Sequence, residues 1–373
     1  MNKLINWRRH FHMYPEVAYK EVESSNYIVQ ELKAYPELKI IRPTQTSVVA
    51  VLQGKKPGKI IGLRADFDAL PILEEADIEY KSKNIGLMHA CGHDFHAAML
   101  LGAIDELYNK RESLQGTIKF IFQHAEEVQP GGASQIISTG VLDDIQVFYG
   151  SHISAVDPVG VVLSAPGSVY ANADFFIIKI QGKGAHAARP QNGIDPLLTG
   201  CEIVNALNHI VSRNISSEEQ AVLTVGSFHA GTADNIIPDT ALIRGTVRTY
   251  NEKIQELIES RIKETAEGIC KAYGATCQAE YHRGYKAVIN DENLYKFFNK
   301  MAAEVLPNVK IELMQPHMGG EDFSAYSNIA PAFFSNIGAG TDLIYGHHHP
   351  KMTLDENALP IGTALYVGFA NNI

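Results

Sequence analysis

Three textures follow one another along the chain. From residue 4 to residue 35, charged and apolar positions alternate at helical spacing, and the pattern breaks at Tyr14-Pro15-Glu16. From residue 46 to 149, short apolar runs at 59–63, 117–122 and 146–149 alternate with helical stretches. That alternation predicts a largely parallel sheet with helices on its faces. The third texture is strand at 174–182, helix at 196–211, strand at 221–228, strand at 240–250, a long helix at 252–273 and strand at 275–285. The order βαββαβ is the split βαβ, ferredoxin-like unit, complete in itself, with four antiparallel strands carrying two helices on one face. Beyond Tyr285 the helix-then-strand texture resumes. The pattern therefore predicts an α/β protein: a discontinuous first domain of residues 1–170 and 286–373, with a mixed sheet, and a small α+β domain of residues 171–285 inserted into it.

Composition narrows the field of partners. At 373 residues the chain exceeds one ordinary core and suits two domains. Its 32 Lys and Arg against 42 Asp and Glu leave a net charge of −10 without a basic block, which argues against nucleic acid. Charge interrupts the apolar residues of Met1-Asn2-Lys3-Leu4-Ile5-Asn6-Trp7-Arg8-Arg9, so no signal-peptide core is present there, and no later run approaches a membrane span. A soluble, cytoplasmic protein without membrane contact is predicted. Four cysteines are too few for a disulfide framework at this size. Cys201, Cys270 and Cys277 read as buried, inert thiols, whereas Cys91 lies among histidines.

The chemistry gathers where predicted strands run out. His89-Ala90-Cys91-Gly92-His93-Asp94-Phe95-His96 is dense in metal-ligand types, and Cys91 with His93 suits one divalent ion or a bridge between two. The 117–122 strand ends in His124-Ala125-Glu126-Glu127, where one carboxylate can bind metal while its neighbour takes the proton of an activated water. His152, and the run His347-His348-His349 after Ile344-Tyr345-Gly346, add nitrogen donors at further strand-to-loop transitions. Cys91, His93, Glu127, His152 and one of the triple run exceed the needs of one tetrahedral ion, so two are implied. Asp66 and Asp68, in Arg64-Ala65-Asp66-Phe67-Asp68, suit carboxylates that hold a ligating imidazole in place. A nucleophilic Cys91 with His93 or His124 as base is the rival reading, and it leaves the Glu126-Glu127 pair without work. His186 reads locally as a loop histidine.

Taken together, these motifs resemble the M20 metallopeptidase family, in its amidohydrolase branch of hippurate hydrolases, aminoacylase-like enzymes and N-acetyl-diaminopimelate deacetylases. The resemblance runs in order through Arg8-Arg9-His10-Phe11-His12 with Pro15-Glu16, residues 64–71, 89–96, 124–127, 184–190, 231–239, 319–323 and 348–350. It implies a di-metal aminopeptidase-like catalytic domain and an inserted lid and dimerisation domain. By position it implies Cys91 as bridging ligand, His93, Glu127, His152 and His348 completing the shells, and Glu126 as general base. His186 is implied to reach the partner subunit's site and polarise the scissile carbonyl, and Asn235 to hold the substrate carboxylate. The chain departs from many members in carrying Asp66-Phe67-Asp68 where they have His-x-Asp, so Asp66 is not carried over as a ligand. The expected activity is hydrolysis of N-acyl amino acids, of N-acetyl or N-benzoyl type, by two divalent ions (Zn or Mn, with Ni or Co as further options) in a homodimer or tetramer. A metallo-carboxypeptidase or dipeptidase is the alternative within the same chemistry, and a non-catalytic metal-dependent binding protein the alternative outside it.

Overall fold

A computed structural model describes residues 1–342 and 345–373. The chain divides into two compact units, one of residues 1–169, 288–316 and 322–373, the other of 170–287 and 317–321. The short segment 317–321, expected from sequence to belong to the first domain, clusters with the smaller unit.

The larger unit is built on an eight-stranded sheet among the described residues. Its centre is parallel: Gln115–Gln123, Lys56–Asp66, Val147–Pro158 and Ala332–Gly340 lie side by side in one direction. Antiparallel strands flank them, Val48–Gln53 beside Gln115–Gln123 and Val161–Ser164 beside Ala332–Gly340, so the sheet is mixed. Central strands buried on both faces need continuous apolar runs. Leu63, Ala65, Ile118, Phe120, Ile121, Phe122, Phe148 and Tyr149 supply them at 0–1% exposure. The His93–Asn109 and Leu359–Asn372 helices are buried along most of their length and pack together over the sheet. Among the described residues no helix is long and apolar enough to cross a membrane.

Two expectations change here. The strand predicted at 146–149 runs on as Val147–Pro158, which puts His152 inside a strand. Its neighbour Lys56–Asp66 stops pairing at the Arg64–Gly150 register, whereas Ala332–Gly340 continues opposite His152. His152 therefore faces the space just beyond the shorter strand, an end that the hydrophobic run alone does not reveal. The strand-to-loop transition expected at Ile344-Tyr345-Gly346 falls partly outside the described residues at Ile344, and Tyr345 and Gly346 are not strand.

The smaller unit carries strands Asn172–Gln181, Ala221–Ala230, Thr240–Thr249 and Thr276–Tyr285 with helices Pro196–His209 and Glu252–Ala272. All neighbours are antiparallel, and Ala221–Ala230 and Thr276–Tyr285 form the edges. Asp195 and Asn251 start the two helices by accepting backbone N–H groups of the first turn. A two-residue ribbon, Ala185–His186 with Ile236–Ile237, lies apart from this sheet. Of the three cysteines expected to be buried, Cys270 is buried and Cys277 half-buried, but Cys201 is exposed. Its helix buries Thr199, Gly200, Ile203 and Leu207, and Cys201 falls on the opposite side of that stripe.

Candidate metal centre

Cys91 stands immediately before the His93–Asn109 helix. Gly92 between them has φ +91, and a Cβ there would lie 3.1 Å from Leu354 Cδ1, so a side chain at this turn would be both strained and crowded. That turn lets Cys91 and His93 serve one space. Two sets of donor atoms share the cysteine: Cys91, His93 and His152 form one, and Cys91, Glu127 and His348 the other, with ligand atoms of each set within 4.8 Å of one another. The backbone N–H of His348 donates to Ala90 O at 2.7 Å, which brings a residue 257 positions away beside the thiol. His348 itself has φ +64.

The spacing suits coordination better than hydrogen bonding. Ligands at about 2.3 Å for sulfur and about 2.1 Å for nitrogen or oxygen around a tetrahedral ion stand roughly 3.5 Å apart. Cys91 Sγ lies 3.5 Å from His152 Nε2, and His348 Nε2 lies 3.4 Å from Glu127 Oε1. His93 Nε2 and Glu127 Oε1, 4.0 Å apart, are buried without a hydrogen-bond partner. Buried polar atoms are normally partnered, and a pair left facing each other at this distance fits donors waiting for a cation.

The far side of each imidazole is fixed. His93 Nδ1–H donates toward Asp68, whose backbone O lies at 3.0 Å and Oδ1 at 3.2 Å. His152 Nδ1–H donates to Ile153 O at 2.6 Å. Both rings are thereby oriented with Nε2 toward the centre. Asp68 Oδ2 also accepts the backbone N–H of Glu127 at 3.0 Å, so one carboxylate positions two candidate ligands. Asp66 is occupied otherwise: Oδ2 meets Arg64 Nη1 at 2.7 Å and Oδ1 accepts from His96 Nδ1 at 2.5 Å. His96 Nε2 accepts the N–H of Ile153 at 2.9 Å, which spends both its nitrogens. His96, three residues after His93 on one helical face, was not singled out from sequence, although that spacing was the available signal.

The electrostatics agree with a cation at this spot. Burial opposes it, yet Asp66 and Cys91 hold His93 well above the ordinary imidazole range. Burial, with the neighbouring imidazoles His96, His347 and His93, holds His152 well below that range, so its lone pair is free. Burial and then Glu127 push the Cys91 thiol up, so a thiolate here needs compensating positive charge.

Glu126 is buried, at 7% exposure, between Ala125 and the ligand candidate Glu127. Within the triple run, His348 is the histidine that groups with Cys91 and Glu127. His347 Nε2 accepts the Ala155 N–H at 3.3 Å, and His349 stacks on Tyr345 and accepts from the Lys351 N–H. His124 points to Gln135 at 3.1 Å and takes no part.

In the smaller unit, exposed His186 and Asn235 sit side by side, since Ala187 N–H donates to Asn235 O at 3.0 Å. They line an open depression of about 760 Å³ with Thr232 and Asp239. His186 Nδ1 accepts the Ala188 N–H at 3.1 Å, which puts the ring proton on Nε2, the nitrogen free to donate outward.

Donors converging at the carboxyl ends of parallel strands, beside a buried carboxylate, are the layout of an α/β metallohydrolase. The family model for peptidase family M20/M25/M40 matches residues 62–372, and the chain belongs to that family of hydrolases acting on amide bonds. It is 38% identical over 369 residues to the N-acetylcysteine deacetylase of Bacillus subtilis (strain 168), covering 99% of this chain and 96% of that protein. It is 36% identical over 378 residues to thermostable carboxypeptidase 1 of Saccharolobus solfataricus, covering 99% of this chain and 95% of that one. Among solved structures, a Bacillus subtilis protein described as a dinuclear metal binding peptidase from the M20 family matches with a TM-score of 0.86 at 34% identity, over 99% of this chain and 97% of that one.

Proposed function

We propose that the protein hydrolyses the amide bond of N-acyl amino acids, of N-acetyl or N-benzoyl type, at a centre where Cys91, His93, Glu127, His152 and His348 would hold two divalent ions. The observation that carries this reading is the sharing of one thiol between two donor triads directly beside buried Glu126. With Cys91 as the shared donor, His93 and His152 would hold one ion and Glu127 and His348 the other, while Asp68 orients His93 and Glu127. Such ions, when bound, polarise the acyl oxygen and acidify water to a pKa near ~7. Glu126 takes the proton of the attacking water and returns it to the leaving amine. His186 donates from Nε2 to the oxyanion, and Asn235 holds the substrate carboxylate. The smaller unit serves as lid and dimerisation module, with His186 acting on the partner subunit's site in a cytoplasmic homodimer or tetramer. Thiolate favours a softer ion such as Zn, while the carboxylate and imidazole donors leave Mn open, with Ni and Co as further candidates.

The similarity to a carboxypeptidase supports a second reading, short peptides as substrates, with the same residues in the same roles. Chelated protein reloaded separately with Zn, Mn, Ni and Co, and assayed on N-acetyl amino acids, hippurate and dipeptides, tests both. N-acyl amino acids are expected to turn over fastest. Faster cleavage of dipeptides reverses the order, and hydrolysis that survives metal removal but not thiol alkylation returns Cys91 to the role of nucleophile.

A further inference from the structure

The turn that carries Glu126 is held by a residue to which neither the motifs nor the chemistry above gives any part. Ala125, immediately before Glu126, has φ +51, a left-handed conformation that a residue with a Cβ seldom adopts unaided. Its N–H donates to Glu21 Oε1 at 2.8 Å, and Glu21 is fully buried. Two residues on, the N–H of Glu127 donates to Asp68 Oδ2 at 3.0 Å. Glu126 is thus suspended between two backbone amides, each anchored on a carboxylate from a distant part of the chain. Tyr19 braces the same turn from outside: it has φ +66, its hydroxyl donates to Val128 O at 3.0 Å, and its ring meets His124 edge-on.

We propose that Glu21 is a positioning residue for the general base: by accepting the Ala125 N–H it holds the left-handed turn that aims Glu126 at the reacting water. Only one of its oxygens has this task, since Oε2 lies buried without a hydrogen-bond partner. Burial pushes its carboxyl up to about 7, with Asp68 adding to the rise, yet Oε1 can accept in either protonation state. An amide oxygen placed at the same point would serve as well. A carboxylate drawn back by one methylene would not.

This inference rests on the assignment of Glu126 as base, and Glu126→Gln is the control that separates the two. Glu21→Gln, Glu21→Asp and Glu21→Ala are prepared as metal-loaded full-length protein, and kcat, KM, bound metal and melting temperature are measured on the best N-acyl amino acid. Glu21→Gln is expected to keep at least half the kcat. Glu21→Asp is expected to lose about tenfold or more in kcat, with KM and metal content within twofold of the parent, because a misplaced catalytic group costs rate even when binding is intact. The Gln and Asp pair decides the matter even where Glu21→Ala does not fold. An inactive Glu126→Gln beside a fully active Glu21→Asp overturns the inference and leaves the base in place. It is equally overturned if Glu21→Gln falls as far as Glu21→Asp, or if each loss of rate is matched by a loss of metal or of folded protein. Normal turnover by Glu126→Gln removes the reading on which it stands.

Discussion

Replacing Asp68 by alanine removes the group that positions two proposed ligands, His93 and Glu127, and its cost can be worked from the geometry. Asp68 is fully buried, with Oδ1 3.2 Å from His93 Nδ1 and Oδ2 3.0 Å from the Glu127 N–H. The imidazole retains a second acceptor, the backbone O of residue 68 at 3.0 Å, so its ring keeps one anchor. The Glu127 N–H retains none of its carboxylate acceptor, and a buried donor left without a partner costs about 1–3 kcal/mol. At about 1.4 kcal/mol per factor of ten, metal affinity is expected to fall about 10–100-fold. Competitive titration of the apo protein against a chromophoric chelator, with metal counted by mass spectrometry, measures it directly. Asp68→Asn, which can still accept one of the two bonds, is expected to fall between the alanine variant and the parent. Parental metal affinity in a correctly folded Asp68→Ala protein would refute the assignment of Asp68 as the residue that orients His93 and Glu127.

Glu126→Gln is expected to keep both metals and lose about 10²–10⁴ in kcat, read by metal analysis and steady-state kinetics; near-normal turnover rules it out as base. Co-expressed Glu126→Gln and His186→Ala, each nearly inactive alone, are expected to regain about a quarter of the parental sites in random 1:1 assembly, where half the dimers are mixed and each has one intact site; mixed dimers with no more activity than the single variants mean that His186 does not act in trans. Away from the centre, Arg8 Nε meets Asp94 Oδ2 at 2.9 Å with both side chains nearly inaccessible, so Arg8→Met is expected to lower stability in urea at pH 7 by about 3–5 kcal/mol. Against burial, Arg8 and His12 hold the Asp94 carboxyl below its usual range, so its contribution is present above the unfolded pKa of about 4 and drains away as pH falls through the folded value. The stability gap between parent and Arg8→Met is therefore expected to narrow below pH 4; a gap unchanged down to pH 2 contradicts this.

The elements most legible in the sequence are those whose hydrophobic period is uninterrupted. The split βαβ of the smaller unit is read to within a few residues at every element, because the apolar positions of its half-buried strands and amphipathic helices keep their periods. The donor set is legible for a different reason: cysteine, histidine and paired glutamates cluster at strand ends, where chance seldom gathers them. What the sequence does not show is contact between distant segments. His152 looks like the end of a strand but lies within one, since the end that matters belongs to its neighbour, Lys56–Asp66. Ile153 acts on His152 through a backbone carbonyl, which no side-chain motif records. Glu21 reaches Ala125 across 104 positions, and nothing in Lys20-Glu21-Val22 distinguishes it from a solvated helix start.

Anomalous diffraction from metal-soaked crystals, collected on both sides of the metal absorption edge, puts the central claim to its most direct test. Two peaks per subunit, about 3.5–4 Å apart, are expected with Cys91 Sγ between them, His93 and His152 on one side and Glu127 and His348 on the other. A single peak, or two peaks neither of which contacts Cys91, would contradict it.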